Sequence, residues 1–340
     1  AILSLFLTDY TKEELFECAD AAYAQAKFGA EPVPLRKVNE NTDVLELWHG
    51  PTSAFKDMAL QILPHLLTKA IGKTGESNKV VILVATSGDT GKAALEGFAN
   101  VKDTEIIVFY PEDGVSAIQK RQMLTQAGDN VRVIGIRGNF DDAQRGVKEL
   151  FGDAALEEEL QSKGYVFSSA NSINWGRLVP QIVYYFSAYS DAVTKGRIKA
   201  GEKINFAVPT GNFGDILAAD YAGKAGLPVG RLICASNETV ETLLQENRMR
   251  RDLFYRISDF VLTIPPLRER REDILDLSEM FIRRYNREFR KNISGISPAL
   301  RSRLLNGDWN GNTRELEHVI RNLMLRISEL DTELTEDGYP

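Results

Sequence analysis

The residue of this sequence that is best placed to do chemistry is Lys56, within His49-Gly50-Pro51-Thr52-Ser53-Ala54-Phe55-Lys56-Asp57-Met58. A lysine that opens an apolar helix is usually a solvated surface residue. Lys56, however, follows an aromatic residue and a Gly-Pro turn, which also permits a position in a partly desolvated pocket. Desolvation lowers the pKa of an amine and favours nucleophilic attack on a carbonyl, as in Schiff-base chemistry.

Three loops combine small residues with hydroxyl or amide side chains, each just before a helix-like stretch: 85–91, 169–174 and 209–214. Backbone N–H groups and the positive end of a helix dipole form an anion site at such positions. Gly211 and Gly214 would let the backbone approach a phosphate closely. One such loop is more often an ordinary turn, but three at successive strand ends favour a bound anion.

The elements that must position these residues follow an α/β pattern. Buried strands are predicted at 80–85, 105–110, 131–136, 165–168, 204–208 and 232–235. Helices are predicted between them at 91–100, 117–127, 140–151, 175–189 and 214–225. This alternation predicts a mainly parallel sheet with helices on both faces, and ligands bind at the carboxyl ends of the strands in such sheets.

Nucleotide-binding motifs do not fit the sequence. The stretch from Gly88 to Lys92 resembles a P-loop, but Thr86 stands at its first glycine position and Ala93 replaces the residue that holds magnesium. Gly72-Lys73-Thr74 has Leu67 at the first glycine position. Neither stretch is a Walker motif.

Composition sets broader limits. The chain has 340 residues, 43% of them hydrophobic, and a formal charge of −7, which fits about two folded domains. No apolar run approaches the roughly 20 residues of a membrane span, and Ala1 to Leu7 lacks the basic residue of a signal peptide. Two cysteines, Cys18 and Cys234, predict no disulfide framework and favour a cytoplasmic location. The three histidines lack metal-ligand spacing, so no metal is expected.

The first part of the chain resembles threonine synthase, a pyridoxal-phosphate (PLP) enzyme of the tryptophan-synthase-β fold type. Five motifs in order carry the resemblance, which spans nearly all of residues 1–237. They are HGPTSAFKDMALQ at 49–61, ATSGDTGKAALEGF at 85–98, GNFDDAQRGVKELF at 138–151, SANSINWGRLVPQIVYYF at 169–186 and VPTGNFGDILAADYAGKAGLP at 208–228.

The resemblance implies conversion of O-phosphohomoserine and water to threonine and phosphate, with Lys56 as the catalytic lysine that bonds to the cofactor and carries protons. It also implies a set of cofactor-binding residues: Ser87, Gly88, Asp89, Thr90, Asn171, Asn174, Gly211, Asn212, Phe213 and Gly214. Lys92 or Arg177 could bind the leaving phosphate. For each of them, however, an ordinary surface position without such a role is at least as typical. Other PLP β- or γ-elimination enzymes share this fold type, so the substrate rests on the resemblance alone.

Basic-residue usage changes abruptly near residue 237. Residues 1–237 hold 16 Lys and 8 Arg, whereas residues 238–340 hold 1 Lys and 16 Arg. Helices are predicted at 268–291, from Pro298 to Leu305 behind the N-cap Ser297, and at 313–327. The Arg-rich stretch 283–290 is balanced by nearby acids, which favours a solvated helix face over nucleic-acid binding.

This second part resembles the AAA+ domain of sigma-54-dependent transcription activators over about 100 residues. The start of the lid subdomain matches 265–274 and the sensor II segment matches 309–316, with Asn310 where the family usually has proline. The resemblance places Arg250 and Arg256 at the arginine-finger positions and Arg314 at the nucleotide-contacting position. Without a Walker motif in these residues, ATP hydrolysis has no physical basis.

The segment 232–238 fits both families, so the sequence predicts a chimera joined there. The expected fold is an incomplete PLP-binding α/β region at 1–237, a remnant of an AAA+ α/β subdomain at 238–266 and a small all-α lid-like bundle at 267–340. Turnover would be impaired, and an open sheet edge would favour self-association. Two alternatives stay open: a transcription-activator fragment that docks on AAA+ subunits, and an inactive chimera. Neither membrane nor direct nucleic-acid binding is expected.

Overall fold

The computed structural model describes residues 1–209, 213–236, 240–245, 261–328, 331–337 and 339. The chain divides into two compact units, Ala1–Asn237 and Glu238–Pro340. This boundary coincides with the change in basic-residue usage. Asn237 and Glu238 themselves lie outside the described residues.

The described residues contain short strand pairs and longer parallel strands. In chain order the strands are β1 Leu35–Lys37, β2 Asp43–Leu45, β3 Lys79–Ala85, β4 Thr104–Pro111, β5 Val131–Ile136, β6 Tyr165–Ser169, β7 Ile204–Pro209, β8 Val229–Ala235, β9 Gly295–Ile296 and β10 Glu333–Leu334.

Helices surround these strands in both units, and two 3₁₀ turns lie at Leu3–Leu5 and Leu267–Glu269. In chain order the α-helices are α1 Lys12–Ala22, α2 Gln25–Phe28, α3 Asp57–Leu60, α4 Leu63–Thr74, α5 Asp89–Phe98, α6 Ala117–Leu124, α7 Phe140–Gly152, α8 Ala154–Ser162, α9 Trp175–Thr194, α10 Gly214–Lys224, α11 Val240–Gln245, α12 Arg271–Phe289, α13 Pro298–Asn306 and α14 Asn312–Arg326.

The first unit contains a four-stranded, all-parallel sheet in the order β5-β4-β3-β6. Its central strand β3 is an unbroken apolar run after Lys79, and its residues from Val80 to Ala85 are all buried. A continuous run of this kind is typical of a parallel strand that is covered on both faces. Val80, Ile82 and Val84 pack in one core, and Val81, Leu83 and Ala85 pack in another.

Strands β7 and β8 form a separate parallel pair. The sequence predicts all six long strands and their parallel direction correctly. It also predicts a single sheet, whereas the described residues place these six strands in two sheets, one of four strands and one of two. The reason is packing: Val208 on β7 shares a core with Ile182 of α9 and Ala218 of α10, rather than with the four-stranded sheet.

Several helices begin where the sequence predicts because a side chain caps them. Asn139 accepts a hydrogen bond from the Asp142 N–H (3.0 Å), and Asp142 accepts one from the Asn139 N–H (2.9 Å), so α7 starts at Phe140. Asn174 caps α9 through the Gly176 N–H (2.8 Å). Such caps satisfy backbone donors that a helix end leaves without partners.

The second unit is a small helical core built on α12, α13 and α14. Leu267, Ile274, Leu300, Leu316 and Ile320 are fully buried in it. The predicted helices differ from the observed ones by a few residues at their ends. Among the described residues, none of the helices has the length and apolarity needed to cross a membrane.

Candidate active site

Lys56 lies immediately before α3, at the end of a turn that is fixed by a buried carboxylate. Asp57 is fully buried and accepts two hydrogen bonds from Thr52, one from its N–H (2.8 Å) and one from its hydroxyl (2.7 Å). A Cβ at Gly50 would lie 2.5 Å from the Asp57 Cβ, so only glycine fits there. The turn from Gly50 to Asp57 therefore holds the backbone of Lys56 in one place.

The loop after β3 is organised by Thr86, whose hydroxyl accepts hydrogen bonds from the N–H groups of Gly88 (2.9 Å) and Gly91 (2.8 Å). Gly88 has a φ of 134°, which L side chains rarely adopt, and this places the N-terminus of α5 directly behind the strand. Ser87 and Thr90 line a cavity at this strand end.

Two asparagines in the loop after β6 have different positions. Asn171 donates to the Ala85 carbonyl (2.8 Å) and accepts from the Ala85 N–H (3.2 Å), so it joins the ends of β3 and β6, and it lines the cavity. Asn174 caps α9 and donates to the Ser169 carbonyl (2.6 Å). Both the amide nitrogen and the amide oxygen of the Asn174 side chain thus already form hydrogen bonds with the backbone next to the loop.

The loop after β7 lies only partly within the described residues. Gly211 and Asn212 fall outside them. Phe213 has a φ of 60° at the start of α10, and Gly214 and Asp215, the first residues of the helix, line the cavity.

The cavity has a volume of about 250 Å³ and is open to solvent. Of the sequence-predicted residues, it brings together Lys56, Ser87, Thr90, Asn171 and Gly214, whereas Gly88, Asp89, Asn174 and Phe213 do not line it. Its full lining is Phe55, Lys56, Ala85, Thr86, Ser87, Thr90, Phe140, Asn171, Ser172, Arg177, Gln181, Gly214 and Asp215.

Burial, together with the positive charges of Arg177 and Lys92, lowers the pKa of the Lys56 amine to about 8, although the charges of Asp89 and Asp215 oppose part of the shift. The Lys56 Nζ also lies 5.6 Å from the centroid of the Phe55 ring. About half of an amine with this pKa is neutral at pH 8, and the neutral amine is the form that attacks a carbonyl.

Arg177 is a cation inside the cavity with neutral partners. It is 4% exposed and donates to the Ala170 carbonyl (2.9 Å) and the Thr90 hydroxyl (3.3 Å). Burial lowers its pKa to about 10, opposed by the charge of Asp215. A buried guanidinium beside an open cavity is suited to bind an anionic group there.

Lys92 differs from Arg177, because its Nζ forms an ion pair with Asp89 (3.1 Å) and it does not line the cavity. Burial opposes ionisation of Asp89, but hydrogen bonds from Gln119 and Lys92 outweigh it and hold the pKa of this carboxyl below its usual range. Asp89 and Lys92 thus neutralise each other at the start of α5.

Sequence reasoning did not assign Phe140, Gln181 or Asp215 to the site. Phe140 and Gln181 lie within quoted motifs, and Asp215 directly follows the glycine-rich loop. The motifs identify the segments from which site residues could come. The packing of α7, α9 and α10 then decides which of their side chains line the cavity.

Comparison with known proteins decides the family. A family model described as pyridoxal-phosphate dependent enzyme matches residues 33–253, more than half of the chain. The chain belongs to this family. The predicted α/β fold type and the predicted cofactor, pyridoxal phosphate, are therefore confirmed.

Individual members give the same result. Threonine synthase from Pseudomonas aeruginosa is 46% identical over 224 residues, which cover 65% of this chain and 45% of that protein. Human threonine synthase-like 1 is 42% identical over 236 residues, which cover 68% of this chain and 31% of that protein. The crystal structure of PLP-bound threonine synthase from Brucella melitensis aligns with a TM-score of 0.57 and 41% identity, covering 66% of this chain and 45% of that one. The chain thus spans less than half the length of these relatives.

The cavity fits the family's cofactor. It offers an amine of lowered pKa for the aldehyde, and α5 and α10 begin beside it, so their N–H groups and dipoles favour a phosphate. Gly214 lines the wall with no side chain, so a phosphate can approach its backbone.

The second unit has a match of its own. A family model described as AAA+ ATPase lid domain matches residues 268–336. Arg314 is exposed near the start of α14. Arg250 and Arg256 lie outside the described residues.

Proposed function

We propose that the first unit carries the site of a threonine-synthase-type lyase, which converts O-phosphohomoserine and water to threonine and phosphate. The observation that carries the proposal is the meeting of Lys56 and Arg177 in one cavity: an amine with a pKa of about 8 beside a buried cation without an acidic hydrogen-bond partner among the described contacts. The 40–46% identity to several threonine synthases supports this substrate class.

Pyridoxal phosphate, when bound, supplies an electron sink for the electrons left at the substrate's Cα. The residues that would hold it are Lys56, Asn171, the loop from Ser87 to Thr90, and the loop from Gly211 to Gly214. Asn171 supports this role because it fixes the end of β3 against the end of β6.

Lys56 carries the protons in this proposal. Its neutral amine accepts a proton from the substrate's Cα and passes that proton on; neutral again, it accepts a proton from Cβ, which lets phosphate leave Cγ with its bonding electrons. Burial favours this task because it lowers the pKa of the amine to about 8, so that about half of it is neutral near pH 8. The protonated amine gives its proton to Cγ, and water adds at Cβ, where its OH is bound while its remaining proton leaves with the phosphate.

Arg177 binds the departing phosphate in the same proposal. Its rigid guanidinium donates to two neutral oxygens and has further N–H groups for an anion. Lys92 supports the site only indirectly, because Asp89 already neutralises it.

Release of inorganic phosphate from O-phosphohomoserine, measured in the presence of pyridoxal phosphate, tests the proposal. We expect weak turnover by the full chain, because its α/β region is incomplete, and none by the Lys56→Ala variant. A matched control is Lys224→Ala, since Lys224 is an exposed lysine paired with Asp220 (2.7 Å). Cofactor capture without phosphate release would contradict this substrate and leave an inactive chimera or a different PLP reaction.

We also propose that residues 238–340 derive from a sigma-54-dependent activator, so that the chain is a chimera with domains 1–237, 238–266 and 267–340. The lid match at 268–336 supports this origin. The alternative function is then subunit docking through the lid, with Arg250, Arg256 and Arg314 near nucleotide. ATP-dependent ring formation, followed by analytical ultracentrifugation, tests that alternative; no change of size with ATP would contradict it.

A cytoplasmic location and self-association complete the proposal. Ile233 on β8, the last strand of the two-stranded sheet, is half exposed, which supports association along this edge. Sedimentation at two protein concentrations measures it, and a concentration-independent monomer would contradict it.

A further inference from the structure

Asp215 is a carboxylate in the cavity to which the reaction above gives no role. It is the second residue of α10 and is 8% exposed. Its carboxylate accepts a hydrogen bond from the Ile216 N–H (3.0 Å), and its backbone carbonyl accepts one from the Tyr185 hydroxyl (2.8 Å). The start of α10 therefore holds Asp215 firmly against the cavity wall.

Burial of this carboxylate is unfavourable by itself. Desolvation raises the pKa of Asp215, whereas the hydrogen bond from the Ile216 N–H and, to a smaller extent, the charges of Lys56 and Arg177 lower it in part. A buried acid that a protein retains is normally balanced by cations close to it. The two cations that balance Asp215 both line the same cavity.

The cavity without Asp215 would hold two cations that repel each other. Arg177 stays charged in either case, since even its lowered pKa is about 10. Lys56 also faces Lys92 and Asp89, but these two form an ion pair with each other. Asp215 is thus the carboxylate of the cavity lining whose negative charge offsets the positive charges of Lys56 and Arg177.

We infer that Asp215 is a positioning residue for Lys56, the counter-ion that lets the lysine amine and the Arg177 guanidinium occupy one buried cavity. The charge of Asp215 favours the protonated form of the Lys56 amine and so sets the balance between its charged and neutral forms. The inference rests on the family's cofactor lysine and not on the threonine synthase reaction, so it stands or falls separately from the substrate.

The Asp215→Asn variant separates this role from a merely structural one by the direction of a pKa change. Loss of the counter-charge should lower the Lys56 pKa by about 1 unit below that of the wild type. A loosened structure would instead expose the amine and raise its pKa toward 10.5, the value of a free lysine. Asp215→Glu, which keeps the charge, should restore a value near that of the wild type.

The measurement is an NMR titration of the full chain without cofactor, after reductive ¹³C-methylation of its lysines. The signal of Lys56 is the one missing from the Lys56→Arg variant. The matched control is Asp220→Asn, which removes a carboxylate from the same helix where it pairs with Lys224. An unchanged or raised Lys56 pKa in Asp215→Asn, or an equal shift in Asp220→Asn, overturns the inference.

If Asp215→Asn does not fold by circular dichroism, the reciprocal experiment remains. In Lys56→Gln, the pKa of the Asp215 carboxyl, followed by ¹³C NMR after backbone assignment, should rise because a facing cation is lost. An unchanged Asp215 pKa in that variant equally overturns the inference.

Discussion

At the scale of single residues, the proposed chemistry depends on the protonation of Lys56. Its amine has a pKa of about 8 chiefly because burial penalises the charged form. The lysine side chain alone does not dictate this property; it comes from the cavity wall and the charges around it.

The pH dependence of cofactor capture follows from this pKa. Since only the neutral amine attacks an aldehyde, we expect the capture rate to rise about tenfold per pH unit below pH 8 and to level off above it. Stopped-flow absorbance of pyridoxal phosphate mixed with the cofactor-free chain measures the rate, and borohydride trapping followed by mass spectrometry locates the adduct. Lys56→Arg should give no adduct at any pH, and a flat rate profile would contradict the prediction.

The support of Lys56 is also open to test at one residue. Thr52→Val removes the hydroxyl that donates to the fully buried Asp57 carboxylate (2.7 Å). An unpaired buried acceptor costs about 1–3 kcal/mol, so the free energy of unfolding in urea should fall by that amount. Thr74→Val is the control, since its exposed hydroxyl bonds only within α4 (2.9 Å). An equal decrease in the free energy of unfolding in both variants would show that the hydrogen bond to Asp57 contributes no more than an exposed one.

At the scale of elements, the cavity requires helices to approach one another closely. Helix α5, which begins beside the cavity, packs against α3, which follows Lys56. The contact is made at Gly97, where a Cβ would lie 2.1 Å from the Leu60 carbonyl oxygen. Glycine is therefore needed at this crossing for a steric reason and not for its φ angle.

Two glycine substitutions should have opposite effects. Gly97→Ala forces α3 and α5 apart and should destabilise the first unit by about 1–3 kcal/mol or more. Gly146→Ala on α7, where no atom lies within 4 Å of the added Cβ, should stabilise it by about 0.5–1 kcal/mol. Urea unfolding of both variants measures the difference. Destabilisation by Gly146→Ala, or tolerance of Gly97→Ala, would contradict this account.

At the scale of the whole molecule, the chain has two units with separate hydrophobic cores. The family match at 33–253 and the lid match at 268–336 lie almost entirely in different units. Each core is built from residues of its own unit, so each unit should respond to perturbation by itself.

Calorimetry should accordingly resolve two unfolding transitions. Pyridoxal phosphate binds the native first unit and should raise only that unit's Tm. Leu300→Ala, at a fully buried position of the second unit, should lower only the other Tm, by an amount that corresponds to about 2–5 kcal/mol. A single transition that shifts in both experiments would contradict the independence of the two cores.

The sequence predicts much of this architecture because its signals are local. Apolar runs locate β3 and β4, and the capping pair Asn139 and Asp142 fixes the start of α7. The position of Lys56 after a Gly-Pro turn similarly indicates a special environment for its amine. Each of these signals lies within about ten residues of the feature that it predicts.

Only the tertiary structure decided which side chains meet. Asp215, Gln181 and Phe140 reach one cavity with Lys56 because helices far apart in sequence begin or pass at the same strand ends. Likewise, β7 and β8 form a sheet of their own because they share a core with α9 and α10. The sequence by itself determined the strands and the turns and predicts Lys56 as the reactive lysine, whereas long-range packing determined the burial and charge that set the pKa of its amine.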